Sequence, residues 1–396
     1  MTTRRCTTAT VLVGAIACLA TACGTQPAIE PPLSGSTAGT TASPSPSPSP
    51  TPILPNLLPG MPPPLQADDV YAATRDGLAP AVRGFPELIY VPNGVSNTVT
   101  VIDAETATVV GEYPAGDVPQ HVVPSYDLTT LWVNSSSSNT LTRMDPATGR
   151  VIDTIEVDDP YNLYFTPDGK DAVVIAERLR RIDFRDPETM ELRASLPTPC
   201  KGVNHVDFSA DGRTFVASCE FSAQLIEVDT AARAITRTLD LPRGSKPQDV
   251  KLSPDGAVYF IADLNRDGVV VLDAASFTEV GFVPTGTGAH GLYTSRDSRD
   301  LYVTNRGAGS VSVLELASRT VRATYQLPGG ASPDMGNLSV DGTKLWLSSR
   351  YGSQIYALDM TTGQTTATVE VGQGPHGLTV YPQPGRYSLG HTGILR

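Results

Sequence analysis

The chain has 396 residues, 40% of them hydrophobic and 18% charged, with a formal net charge of −12. So acidic a balance leaves no basic footprint for nucleic acid, and a soluble acidic surface accounts for it without a cationic partner. With 35 Gly and 34 Pro, the composition favours many strands joined by turns over long helices.

Arg4 and Arg5 precede an apolar run from Ala9 to Ala22, which is shorter than the roughly 20 residues of an ordinary membrane span. Residues 1–22 therefore read as a signal peptide. Leu19-Ala20-Thr21-Ala22-Cys23 resembles a bacterial lipobox. That resemblance implies a lipid on Cys23 and anchoring to the cell membrane on its extracytoplasmic face; the alternative is cleavage after Ala22 and a secreted protein. Residues 23–67 are rich in Pro, Ser, Thr and Gly, cannot bury a core, and read as a disordered linker holding the folded part away from the membrane.

The folded domain is expected over 68–396. Residues Asp69 to Gly77 suggest a short helix or turn against a blade's side. From Leu88 onward one phrase recurs: an apolar strand, a polar turn, a second apolar strand closed by an acid, then a third strand. The acids Asp103, Asp145, Asp186, Asp229, Asp273, Glu315 and Asp359 repeat at intervals of 41 to 44 residues. That period in a strand-rich chain predicts an all-β, seven-bladed propeller, because a four-stranded blade takes about 40–45 residues. The acids are expected to cap the turns that follow them. Inner strands are expected to start at Pro119, Pro160, Val203, Pro247, Ala289, Pro333 and Pro375, several ending in Asp-Gly hairpins such as Asp168-Gly169. The last has no second strand of its own, so it is expected to close the ring beside Leu88. The tail 382–396 is not blade-like and suggests an ordered cap.

Tyr302-Val303-Thr304-Asn305 spells the motif of the YVTN-type, YncE-like propeller repeat family, and Tyr90-Val91-Pro92-Asn93 is a near copy. The resemblance covers residues 88–386. It implies a bacterial, extracytoplasmic propeller whose relatives mostly lack assigned chemistry. Similar propellers include lactone-cleaving and streptogramin-lyase enzymes, and His-lined metal sites occur on related scaffolds; the fold does not carry function across such a group.

Aligning the inner strands puts Gln120/His121, Tyr161/Asn162, Asn204/His205, Gln248/Asp249, His290/Gly291, Asp334/Met335 and His376/Gly377 at their second and third positions. Four of the five histidines therefore fall in one ring at one channel mouth. The loops between second and third strands add Glu177, Arg178, Glu220, Asp263, Arg306 and Arg350. Candidate ligand-binding residues are His121, Asn162, Asn204, His205, Glu220, Asp249, His290, Arg306, Asp334, Arg350 and His376.

Three readings stand. A small polar or anionic ligand would be oriented by arginines and amides and would approach closely over Gly291 and Gly377. A divalent metal such as zinc or copper would be held by His121, His205, His290 and His376. Third, the imidazoles would simply bond neighbouring backbone. A lyase or lactonase would need a general base, for which His205 beside Asp249 is the best pair; no Gly-x-Ser-x-Gly, phosphate-loop or His-Glu-x-x-His motif supports a standard hydrolase. The expected protein is thus a monomeric, non-catalytic platform for a small molecule or an envelope protein. Cys200 and Cys219 flank a hairpin turning at Asp211-Gly212 and are expected to form a disulfide in an oxidising compartment.

Overall fold

The computed structural model describes residues 56–396; the expected signal peptide, Cys23 and most of the expected linker lie outside them. Seven four-stranded antiparallel sheets follow one another as blades. Blade one runs over 88–114, blade two over 119–156, blade three over 162–197 and blade four over 203–240. Blades five, six and seven cover 247–284, 289–326 and 333–370. Blade one takes its inner strand, Thr379–Tyr381, from the far end of the chain; it pairs with Leu88–Tyr90 and closes the ring as expected.

The sequence pattern explains the packing. The second strand of blade three, Ala172–Ala176, is buried at every residue, because neighbouring blades cover both of its faces. Fourth strands such as Ala234–Asp240 alternate exposed and half-buried positions at the rim. The core therefore lies between blades: Tyr164, Val173 and Ile175 of blade three pack with Val206, Phe208 and Phe215 of blade four. The recurring acids cap turns as expected. Asp103, Asp145, Asp186, Asp229, Asp273 and Asp359 each accept a backbone N–H two or three residues on, at 2.7–2.9 Å. Glu315, one carbon longer, accepts from the Ser318 hydroxyl instead.

The expected disulfide is present: Cys200 and Cys219 are bonded, with Cα atoms 6.0 Å apart. Two terminal segments lie differently from the sequence reading. Leu58 and Met61, within the stretch read as linker, are buried, and Leu58 N–H donates to the Asp211 carbonyl at 2.8 Å, so the chain joins the propeller before residue 68. The segment after Asp69 forms a 3₁₀ turn, Ala72–Arg75. It packs over the ends of inner strands rather than on a blade's side: Val70 N–H donates to Pro254 O, and the Tyr71 hydroxyl donates to Leu252 O.

The tail is ordered, and it closes the end of the axis where the inner strands finish. Tyr387 stacks on Tyr126 at 5.1 Å, and Phe165 N–H donates to Leu389 O. Gly393 lies against Asn337. The Arg396 guanidinium donates to Phe208 O and Ser209 O and pairs with Asp207 at 3.2 Å. One short segment thereby ties together blades two, three, four and seven.

Candidate functional site

The chemistry collects on the inner strands because those strands are bulged. Pairing with the second strand shifts register between Val203 and Val206, Pro247 and Val250, Ala289 and Leu292, Pro333 and Gly336, and Pro119 and His121. The skipped residues are the second and third positions aligned above in blades four to seven, and Gln120 alone in blade two; blade three pairs from Asn162 without a shift. A bulge breaks strict alternation and re-aims side chains. The loops between second and third strands sit beside these entries: Arg306 N–H donates to Gly288 O and Arg350 N–H to Ser332 O. Mouth and loops therefore share one face, as the repeat predicts.

The mouth centres on Asp334, whose side chain is fully buried. Its Oδ1 accepts Arg306 through Nε at 2.9 Å and through a second guanidinium nitrogen. His290 Nδ1 lies 3.1 Å from the same oxygen. Oδ2 has no hydrogen bond; His376 Nε2 lies 3.4 Å away and Arg350 Nε 3.7 Å away. Arg350 keeps 28% of its side chain exposed. Burial, then the Arg306 charge, holds His290 well below the usual imidazole value; burial and Arg350 do the same for His376. With both imidazoles neutral, two guanidiniums face one carboxylate around Asp334.

His121 and His205 belong to a deeper layer. His121 Nδ1 lies 2.9 Å from the Tyr161 carbonyl, which makes Nδ1 the donor and leaves Nε2 with its lone pair and no partner. Neither ring nitrogen of His205 has a partner. The fifth histidine, His391, comes up from the tail. Its ring centroid lies 4.0 Å from that of His121 and 5.0 Å from that of His205. Burial drives all three pKa values down, His121 to about 3. The sequence alignment missed His391 because it lies outside the repeat. The available signal was that the other four histidines already shared the axis.

Several expectations need correction. His205 and Asp249 are not paired: Asp249 accepts Val250 N–H at 3.0 Å and Leu292 N–H of the next blade at 2.9 Å. Those N–H groups lie at the bulge edge, so the carboxylate serves as a brace between blades. Burial pushes its pKa up to about 6. Asn162 is a brace as well, bonding Leu163 N–H and the Tyr164 hydroxyl. The space over Gly291 and Gly377 is not open to a ligand. A Cβ on Gly291 would meet the Tyr293 hydroxyl at 2.5 Å, and one on Gly377 would meet His121 Cδ2 at 2.0 Å. The four-histidine metal set divides: His290 and His376 face Asp334, whereas His121 and His205 face His391. His376 nonetheless borders both layers, bonding Gln120 at 2.9 Å with its ring 4.7 Å from that of His121.

On the blade-three and blade-four side of the mouth, Asn204 donates to Glu220 at 2.9 Å, and Lys246 pairs with Glu220 at 2.9 Å. Glu177 is pushed up to about 7 by burial and by Glu220. The loop tips around the rim are apolar at four blades: Val95, Leu179, Phe221 and Tyr351 are all exposed.

A relative from Salmonella typhi, "Uncharacterized protein YncE", is 24% identical over 247 residues, covering 57% of this chain and 67% of its own. A functionally unknown protein from Desulfotomaculum acetoxidans superposes with a TM-score of 0.65 at 16% identity, covering 74% of this chain and 98% of that one. A putative 6-phosphogluconolactonase from Bacteroides uniformis gives 0.61 at 17% identity, covering 74% and 99%. At these identities the solved structures speak for the fold. The model of the YNCE-like beta-propeller family matches residues 69–385, nearly the whole described chain, and the protein belongs to that family.

Proposed function

We propose that this propeller is a non-catalytic receptor for a small anionic molecule, held at the mouth by Arg350 and Arg306. The observation that carries the reading is the state of Asp334. It is a buried carboxylate with one oxygen lacking any hydrogen bond, and Arg350 stands 3.7 Å from it, partly exposed. A ligand carboxylate or phosphate can recruit Arg350 without breaking a formed hydrogen bond to Asp334. Guanidinium suits such a group through its planar pair of donors. The polar neighbours Asn204, Glu220 and His290 would orient the rest of the molecule. His121, Asn162, His205 and Asp249 support the walls from behind.

The platform works outside the cytoplasm, tethered through Cys23 and the segment that follows it. The buried disulfide accords with an oxidising compartment. Among the described residues no helix is long and apolar enough to cross a membrane. A second reading, docking of an envelope protein on the rim, draws on the exposed tips Val95, Leu179, Phe221 and Tyr351.

Calorimetric titration with citrate, gluconate and inorganic phosphate tests the first reading. One of the three is expected to bind at one equivalent and to lose at least roughly tenfold in affinity on Arg350→Ala, about 1.4 kcal/mol. Equal binding by Arg350→Ala, or no binding of any of the three to the wild type, removes the anion reading. Detergent partitioning of Cys23→Ala against the wild type checks the tether: the variant is expected in the aqueous phase.

A further inference from the structure

The deeper layer only backs the mouth, and it has metal-binding chemistry of its own. We propose that His121, His205 and His391 form a transition-metal site, zinc being the first candidate, completed by the C-terminal tail inside the propeller. Among the described residues these three are a set whose ligand atoms all lie within 4.8 Å of one another. Imidazoles suit zinc, copper, nickel and iron. Donors at about 2.0–2.1 Å from one zinc in a tetrahedron lie about 3.3 Å apart, so closure asks for ring shifts on the order of 1 Å.

Two features single the trio out from a merely packed cluster. First, His205 is fully buried and neither of its nitrogens is bonded, which costs desolvation without return in a site with no other purpose. Second, the Tyr161 carbonyl takes the proton of His121 Nδ1 and leaves Nε2 as a lone-pair donor. That is the outer-layer arrangement by which a metal-ligating imidazole is oriented. An ion would enter from the mouth, past His376, since the tail closes the other end.

The residues are drawn from three places in the chain: inner strands of blades two and four, and the tail. The site therefore exists only when the tail is docked, and metal binding and tail docking are linked. This inference stands apart from the anion reading, which rests on Arg350; either can fail without the other.

The test is titration of the chelator-stripped full-length protein with zinc against a chromophoric chelator, followed by elemental analysis. Cobalt(II) serves as a spectroscopic probe of the wild type. One equivalent is expected, with affinity reduced at least a hundredfold in His391→Gln and in His205→Gln, and unchanged within threefold in His290→Gln. Visible d–d bands from bound cobalt should show a low-coordinate nitrogen site. Circular dichroism of each stripped variant separates lost ligation from lost folding, and His205→Gln keeps the tail sequence intact should His391→Gln undock it. Failure of the wild type to bind zinc or cobalt overturns the proposal. So does retained binding in both trio variants, or a loss in His290→Gln as large as that in His391→Gln.

Discussion

Each end of the propeller axis holds a buried aspartate against an arginine, and the two pairs are wired differently. At the closed end Asp207 accepts Phe208 N–H, Leu252 N–H, the Tyr71 hydroxyl and Arg396, at 2.7–3.2 Å. Both oxygens are used, two of the four donors are backbone, and no solvent reaches the pair. At the open end Asp334 receives side-chain donors only, and one of its oxygens has no hydrogen bond. An acid saturated by backbone donors is a brace, because those donors cannot move without unfolding a blade. An acid met by long side chains at a half-open mouth can exchange them for a ligand. The difference separates structure from function more clearly than burial does, since both carboxylates are fully enclosed.

Acidification should have the largest effect and should strain both ends together. Burial holds all five histidines below their usual 6.5 in the folded state. Below that pH the unfolded chain takes up protons that the folded chain refuses, so stability present above pH 6.5 is lost as pH falls toward the folded values. Asp249, Glu177 and Glu87 act in the opposite sense, because burial raises their folded values and favours the protonated, folded form at low pH. Five groups against three leave a net loss, at about 1.4 kcal/mol per pH unit for each net proton. Urea unfolding between pH 7.5 and 5 should show a falling midpoint; a flat profile would contradict neutral, buried imidazoles.

Removing the brace comes next. Asp207→Ala strands the Arg396 guanidinium in the closed end and should cost about 3–5 kcal/mol in denaturant unfolding. Ligand affinity at the mouth should be unaffected, and a parallel loss of anion binding would mean that the ends are coupled.

At the mouth end, Cys200→Ser with Cys219→Ser opens a bridge separated by 19 residues. The expected cost is about 3 kcal/mol, read as a lower melting temperature and reproduced in the wild type by reductant.

The smallest effect on stability is expected of Arg350→Ala, within about 0.5 kcal/mol, although it is the variant that should abolish tight anion binding. A large destabilisation would make Arg350 a brace like Arg396 and erase the distinction between the two ends.

Much of the fold was legible because it repeats. Turn chemistry is local, so Asp103 and its six counterparts marked every blade, and a hairpin at Asp211-Gly212 was enough to bring Cys200 and Cys219 together. Ring closure by Thr379–Tyr381 followed from one unpaired inner strand. The site was legible only as a list. Alignment placed His121, His205, His290 and His376 in one ring, but bulges and depth along the axis are not encoded in spacing. Asp249 shows the limit: its residue type suggested a partner for His205, while the bulge delivered two amide donors to it instead.

By itself the sequence determined the architecture, since periodic apolar strands and turn-capping acids are short-range signals summed seven times. Which polar side chains meet was decided only by tertiary structure. His391 reaches His121 across 270 residues of chain, and Arg396 reaches Asp207 across 189. Such contacts form when a tail with no repeat of its own folds into the space that seven blades leave along their axis, and no local pattern in that tail specifies which buried groups it will meet.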